Sequence, residues 1–189
     1  MFAPRPAGVA LALAAGLALL AGCGQNLGED PSEPRREGLA LELEGATYNV
    51  FLTRQLNPAD VEDQSYTQGI GQPEPESAFF GVFMEACNVS DEPLSTASSF
   101  LIEDTQGNEF EPLEPAEESS FAYQSATVLL GDCIPAEGSV ASEGPTAGVL
   151  LVFEIPIEST ENRPLELKIQ DGYDLAAGEP HELIFEFDI

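Results

Sequence analysis

An all-β domain folded as an antiparallel β-sandwich is what this sequence predicts, on three observations. Apolar residues recur with a period of two in short runs. Clusters of Gly, Pro, Asn and Asp separate those runs, and no helical period appears beyond the N-terminal segment. Seven or more short strands with turns between them are the pattern of two packed antiparallel sheets.

The strands follow in order. Leu39, Leu41 and Leu43 alternate with Ala40, Glu42 and Glu44, which predicts a strand with one buried face. Gly45 allows a break or bulge before the β-rich run Thr47 to Thr53. Asn57-Pro58-Ala59-Asp60 opens a long polar loop that lasts through Glu76. Ala78 to Cys87 is apolar on both faces, through Phe79, Phe80, Val82, Phe83 and Met84, as expected of a central strand covered on both sides. Asn88 to Pro93 is a turn.

Phe100 to Glu103 is a short strand, and Asp104 to Asn108 supplies a Gly-containing hairpin turn that returns it along Glu109 to Leu113. Residues 114–120 form an acidic loop, Phe121 to Leu130 reads as one more strand, and Pro135 to Gly138 is another turn. Val149 to Pro156 carries the strongest strand signal in the chain. Leu165, Leu167 and Ile169 alternate with Glu166, Lys168 and Gln170, and Leu183, Phe185, Phe187 and Ile189 close the chain with one face apolar. Ile184 is the one apolar residue on the outer side of that last strand. Carboxylates on the outward faces discourage edge-to-edge association.

The N-terminus is built differently. Arg5 and the amino terminus precede an apolar run from Val9 to Leu20, too short for a comfortable transmembrane helix and of the right length for a signal-peptide core. It ends in Leu20-Ala21-Gly22-Cys23, the form of a bacterial lipobox. A thiol is needed to carry the diacylglycerol, and small residues before it let the peptide bond reach the peptidase. Residues 1–22 therefore read as a lipoprotein signal peptide and Cys23 as the lipidated first residue of the mature chain. Several acyl chains on one residue hold stably where one does not, since burial contributes about 0.8 kcal/mol per methylene. Residues 23–38 are rich in Gly, Pro, Asp and Glu, contain Arg35-Arg36, and read as a flexible tether. Extended at roughly 3.3 Å per residue, it reaches roughly 50 Å from the membrane. Residues 39–189 are left for the sandwich.

Charge narrows the partners. The chain carries 34 Asp and Glu against 6 Lys and Arg, a formal net charge of -28, and loss of residues 1–22 removes only Arg5. Nucleic acid is excluded, because each phosphate contact needs a cation the chain lacks. A domain lying flat on anionic lipid is disfavoured for the same reason. Cations, basic partners or a saline medium that screens self-repulsion all suit this balance.

Three cysteines remain to be placed. With Cys23 lipidated, Cys87 and Cys133 are left to pair in an oxidising extracytoplasmic compartment, the alternative being two buried thiols. A bridge across a loop of about 47 residues contributes roughly 4 kcal/mol on the loop-entropy model.

Three stretches carry a wider similarity: Gly45 to Leu52 with Asn57-Pro58 and Asp60; the central strand running into Asn88 to Pro93, with Phe100 to Asp104 and Gly107-Asn108; and Gly148 to Pro156 with Leu165 to Ile169. On these the chain resembles bacterial extracytoplasmic lipoproteins that carry a telokin-like, immunoglobulin-fold domain of unknown function. The resemblance implies an immunoglobulin-like sandwich and an extracytoplasmic address, and it supplies no catalytic residues. Residues 61–76 and 114–147 depart most from a compact version of that domain, which makes them the place to look for a specialised role.

Candidate chemistry is sparse. His181 is the only histidine, sits just after Pro180, and reads as a surface or edge residue; no Gly-x-Ser-x-Gly elbow accompanies it. One His and a bridged Cys pair make no zinc site. Oxygen-rich groups at Asp60/Glu62/Asp63, Asp104/Asn108/Glu109 and Asp171/Asp174 are candidates for calcium, but none has the spacing of an EF-hand loop. Paired carboxylates for glycosidase work would need a cleft that a small sandwich rarely offers. Of 11 Phe and 4 Tyr, the phenylalanines read as core, whereas Tyr66, Tyr123 and Tyr173 lie in or near loops, where a binding surface would use them. The sequence thus predicts no catalytic residues, no metal ligands and no cofactor. The reading it favours is a non-enzymatic binding module of unknown partner, held to the cell membrane by the lipid on Cys23. The alternatives are a structural or envelope-maintenance protein and, behind it, a carboxylate enzyme or a calcium-binding domain.

Radiolabelled fatty acid should be incorporated by the wild-type protein in cells and not by Cys23→Ser; labelling that persists in the variant refutes lipidation at that thiol.

Overall fold

The computed structural model describes residues 33–114, 119–176, 178–187 and 189. The expected signal peptide, the lipobox-like stretch and Cys23 lie outside the described residues. In chain order the elements are β1 (Arg35–Arg36), β2 (Ala40–Leu43), β3 (Ala46–Leu56), α1 (Asp63–Tyr66), β4 (Ser77–Asn88), β5 (Leu94–Ser95), β6 (Ser99–Glu103) and β7 (Glu109–Phe110). Then come β8 (Thr127–Val128), β9 (Cys133–Ile134), α2 (Val140–Glu143), β10 (Val149–Pro156), a 3-10 turn (Ile157–Glu161), β11 (Leu165–Asp174) and β12 (Glu179–Phe187).

Two sheets form a β-sandwich. One has the order β1-β12-β11-β6-β7, the other β10-β4-β3-β2, and β9 pairs with the end of β4 beyond β10. A small third sheet joins β5 to β8. The alternating apolar residues of both large sheets meet between them. Tyr48, Val82, Met84, Phe153 and Ile155 from one side face Ile102, Leu165, Leu167, Ile169 and Phe185 from the other, all fully buried.

The N-terminal boundary moves. Arg35–Arg36, which the sequence places in the tether, pair in parallel with Phe185 and Glu186 of β12, and the Gly38 N–H donates to the Val50 carbonyl. Among the described residues, strand pairing therefore reaches back to β1, ahead of Leu39. Two arginines among prolines and glutamates show no period, so nothing local marks them as a strand; the free edge of β12 recruits them. Gly45 also proves to be more than a break. Leu43 pairs with Ala46, and Glu44 and Gly45 between them both have positive φ (50° and 82°), the geometry of a two-residue hairpin turn.

Strand β4 is buried on both faces, as its composition demands. Its outer neighbours are supplied by a bulge and two loops. The register of β3 against β4 shifts between Val50 and Leu52, so the inward alternation Ala46, Tyr48, Val50 reverses and Leu56 joins the opposite face. There Leu56, Phe79, Phe83, Leu150 and Val152 form a second apolar cluster with Tyr66. The loop after β3 covers one side of it through Tyr66 and Ile70. The segment after β7 covers the other through Leu113 and Phe121, pinned by Leu113 N–H to the Val152 carbonyl and Leu150 N–H to the Phe121 carbonyl. The long strand expected over 121–130 shortens to β8, because Tyr123 and Phe121 turn inward to packing positions.

Cys87 and Cys133 are bonded, directly opposite each other on β4 and β9. Reducing this bridge should lower the unfolding free energy by about 4 kcal/mol; denaturant titration with and without dithiol measures it, and coincident curves would remove the staple from the account. Gly148 has φ +113°, and a Cβ there would lie 2.9 Å from the Met84 carbonyl oxygen. Gly148→Ala should therefore destabilise the fold by about 1–3 kcal/mol, read in the same titration.

Candidate functional site

Several of the carboxylates singled out by sequence fall into structural roles. Asp63 is buried at the start of α1 and takes the Arg54 guanidinium through both oxygens, with Nη2–Oδ1 at 2.7 Å and Nη1–Oδ2 at 3.1 Å. Its Oδ2 also accepts the Asn57 N–H at 2.7 Å. Burial works against the charge on Asp63, but the Arg54 and Asn57 hydrogen bonds and the Arg54 charge hold its carboxyl below the usual range. The Asp60 carboxylate accepts the Glu62 N–H. Arg54 in turn lies over the Tyr66 and Phe83 rings, 5.8 and 5.6 Å from their centroids. The group Asp60/Glu62/Asp63 is thus the fastening of the first covering loop.

Asp104 is equally committed. Burial opposes its charge, yet it accepts the Asn108 and Asn162 side-chain amides and the backbone N–H groups of Asn108 and Gln106, which hold its carboxyl far below the ordinary range. It ties the β6–β7 hairpin to the 3-10 turn. Asp174 caps the β11–β12 turn by accepting the Ala176 N–H, and Asp171 stands opposite His181 across the two strands. His181 pairs with Glu44 of the β2–β3 turn, both side chains part-exposed. Tyr66 and Tyr123 are buried, contrary to their loop positions in the sequence; only Tyr173 of the three is exposed. The Tyr123 hydroxyl hydrogen-bonds the Thr96 hydroxyl and the Ala97 carbonyl, holding the β5–β8 region to the core.

The solvent face of the β12-β11-β6 sheet is acidic around the chain's single lysine. Lys168 forms an ion pair with Glu103 and has Glu166 and Glu182 nearby. The hydrogen bond that Lys168 donates to Glu103, working against burial, raises the Lys168 pKa, and the surrounding carboxylates add to it. The Glu166 pKa is raised as well, which for an acid disfavours the charged form. Burial raises its pKa, Lys168 opposes that, and Glu103, Glu186 and Glu182 raise it further.

A groove of about 670 Å³ lies where β9 meets β4. Glu85 is part of its floor; β8, the turn through Gly131 and Asp132, Cys133 to Gly138, and Ser142-Glu143 of α2 wall it. Three devices hold these walls. One is the disulfide. The second is Asn88, buried at the end of β4, whose Nδ2 donates to the Glu92 and Val128 carbonyls while its Oδ1 accepts from Ser90. Its backbone N–H reaches the Asp132 carbonyl, so one residue ties β8, the β8–β9 turn and the 89–93 turn together. The third is Ser139, whose hydroxyl caps α2 by accepting the Ser142 N–H. Among the described residues the groove presents Glu85, Asp132, Glu137 and Glu143 and no Lys, Arg or His, with Leu129 an exposed lining residue. Such a lining attracts cations carried on a partly apolar body. Sequence spacing missed this set because Glu85 is remote from 132–143; the Cys87–Cys133 pairing was the one clue that joins them.

Among the described residues one trio of metal-ligand types lies close together, Glu85, Cys87 and Cys133, with ligand atoms within 4.8 Å of one another. Both sulfurs are used in the disulfide, which leaves a lone carboxylate there.

No family model and no curated protein matches this sequence. Solved structures do. The ycdA protein of Bacillus subtilis, a proposed lipoprotein, aligns over 82% of this chain at 14% identity with a TM-score of 0.50. The chain spans 39% of the length of that protein. The yjhA protein of Bacillus subtilis aligns over 81% of this chain and 99% of its own, at 10% identity and a TM-score of 0.51. An uncharacterised β-sandwich protein of Clostridium difficile matches more loosely, over 82% of this chain and 97% of its own, at 12% identity and a TM-score of 0.41. The fold is what the two Bacillus proteins share with this chain. At such identities the likeness of the two Bacillus proteins extends to the β-sandwich and no further.

The lowered pKa values of Asp63 and Asp104 stabilise the fold fully above the ordinary carboxylate value of about 3.9, and that contribution is lost as pH falls through their lower folded values. The raised pKa of Glu166 has the opposite sign: its cost at neutral pH is relieved as it takes up a proton. Tm should therefore hold or rise slightly from pH 7 to about 5 and fall below about 4, with Asp63→Asn flattening the acid limb and costing about 2 kcal/mol at pH 7. Scanning calorimetry against pH checks this; a steady fall of Tm from pH 7 to 5 contradicts it.

Proposed function

We propose that the chain is a lipid-anchored extracytoplasmic protein whose immunoglobulin-like sandwich is a non-catalytic binding module, with the groove beside Cys87–Cys133 as its contact surface. The observation that carries this is the groove lining: four carboxylates, no cationic side chain among the described residues and an exposed leucine. The partner it suits is a basic protein segment with some apolar character, recognised by charge complementarity and drawn in by the field of a chain at -28. The lipobox at Leu20 to Cys23 supports the anchored address, as does the description of ycdA as a proposed lipoprotein. The site side chains offer carboxylates and hydroxyls without a histidine among them, and this favours binding over catalysis.

Cross-linking in intact cells followed by pull-down tests the reading. Wild-type protein should recover one specific basic partner, and the double variant Glu137→Lys/Glu143→Lys should lose it, with the yield rising at low salt for the wild type. Equal recovery by both proteins would move the contact surface elsewhere. Hydrolase activity in the purified domain that disappears on mutating one acidic pair would overturn the non-catalytic reading.

A further inference from the structure

The large apolar side chains that this fold leaves in water are unevenly placed. Leu175 is 90% exposed, and Val89, Leu130 and Tyr173 are each more than half exposed. Val89 lies in the turn after β4, Leu130 in the β8–β9 turn, and Tyr173 and Leu175 at the tip of the β11–β12 hairpin. These turns share one end of the sandwich, gathered around the β2–β3 turn. The Val89 N–H donates to the Gly45 carbonyl, the Gly131 N–H donates to the Asn88 carbonyl, and Glu44 pairs with His181 of the hairpin. At the opposite end, where β3 finishes and β4 begins, Val61 and Ile157 are the exposed large apolar residues among those described. An exposed apolar residue is ordinary when it stands alone. What marks these four is the end they have in common.

The chain enters the domain from that same end. β1 runs parallel to β12, with Arg35 beside Phe185, so the N-terminal end of β1 points toward the β11–β12 hairpin. The stretch of β12 from Phe185 back to Glu179 covers roughly 20 Å at about 3.3 Å per residue. From Cys23 to Arg35 the sequence spans at most roughly 40 Å. A lipid on Cys23 therefore lies within roughly 20 Å beyond the hairpin when the chain keeps its direction, and any shortening brings the turns down to the bilayer. Presenting the other end would need the chain to reverse just ahead of β1.

We propose that these turns form a membrane-contact tip, in which Leu175, Leu130 and Val89 enter the lipid interface and Tyr173 lies at the head-group level, where its residue type is favoured. This rests on the lipid anchor at Cys23 proposed above, which supplies the proximity; the apolar turns then fix which end of the domain faces the bilayer. Carboxylates at the same end, Glu44, Asp132 and Asp174 among them, hold the rest of the domain off anionic head groups and confine the contact to the tips. Leu129, next to Leu130, lines the groove and stays with that surface.

Because the chain contains no tryptophan, a single introduced one reports its own position. Full-length lipidated protein carrying Leu175→Trp, Leu130→Trp or Val61→Trp is reconstituted into phosphatidylcholine vesicles with and without brominated acyl chains. Bromine should quench the emission of the first two, which is also blue-shifted, and leave Val61→Trp unchanged. The last variant controls for the attraction of tryptophan itself to the interface. Unquenched emission from Leu175→Trp and Leu130→Trp in protein that floats with the vesicles overturns the tip and leaves the anchor standing, and so does equal quenching of all three. Protein that stays behind when the vesicles are floated overturns the anchor, and the tip with it.

Discussion

Burial of β4 on both faces is the constraint from which the rest of this architecture follows. One face, with Val82 and Met84, is taken up by the opposing sheet. The other carries Phe79 and Phe83, which no second layer covers. Two large aromatic side chains left in water would forfeit several kcal/mol of transfer free energy. The chain meets this with loops instead of a third layer. The segment after β3 brings Tyr66 and Ile70, and the segment after β7 brings Leu113 and Phe121. The bulge in β3 belongs to the same solution, since it turns Leu56 to the face that needs apolar cover.

Covering a sheet with irregular chain raises its own problem, because loops carry backbone groups and polar side chains into a dry place. The scarce cations are spent there. One of the six, Arg54, is held between Asp63 and the Tyr66 and Phe83 rings, so that a single side chain satisfies a buried carboxylate and packs against the aromatic cluster. Lys168 does the comparable task on the opposite surface, among Glu103, Glu166 and Glu182. In a chain this acidic, the position of each positive charge is informative: both lie where carboxylates would otherwise repel or be stranded. The carboxylates of the groove by Cys133 have no such neighbour, which is what sets that surface apart.

Much of the sheet structure was legible in the sequence because alternation is a local signal. The strands near 40–43, 46–56, 77–88, 99–103, 149–156 and 165–174 follow from residues that are each other's near neighbours. The parts that were not legible depend on contacts distant in sequence. Arg35–Arg36 form a strand only because the edge of β12 is there to pair with. Tyr66 and Tyr123 look like loop tyrosines until the sheet they cover is in place. Asp60, Asp63, Asp104 and Asp174, among the acidic residues offered as calcium candidates, accept hydrogen bonds that fasten turns and loops, and spacing alone cannot tell a ligand set from a capped turn. The groove itself joins Glu85 to residues 126–143, and its only sequence trace is the pair of cysteines.

The sequence by itself determined the all-β class, the double burial of β4 and the pairing open to Cys87 and Cys133 once Cys23 is set aside. It also carries the lipobox-like stretch Leu20 to Cys23, a local motif that is read without reference to the fold. Tertiary structure decided what covers β4, which carboxylates are spent on the fold and which face outward together, and how far back strand pairing reaches. The division has one physical cause. Periodicity and motif are properties of neighbouring residues, whereas cover, charge pairing and grooves arise when segments some fifty residues apart are brought into contact, as Glu85 and Glu137 are here.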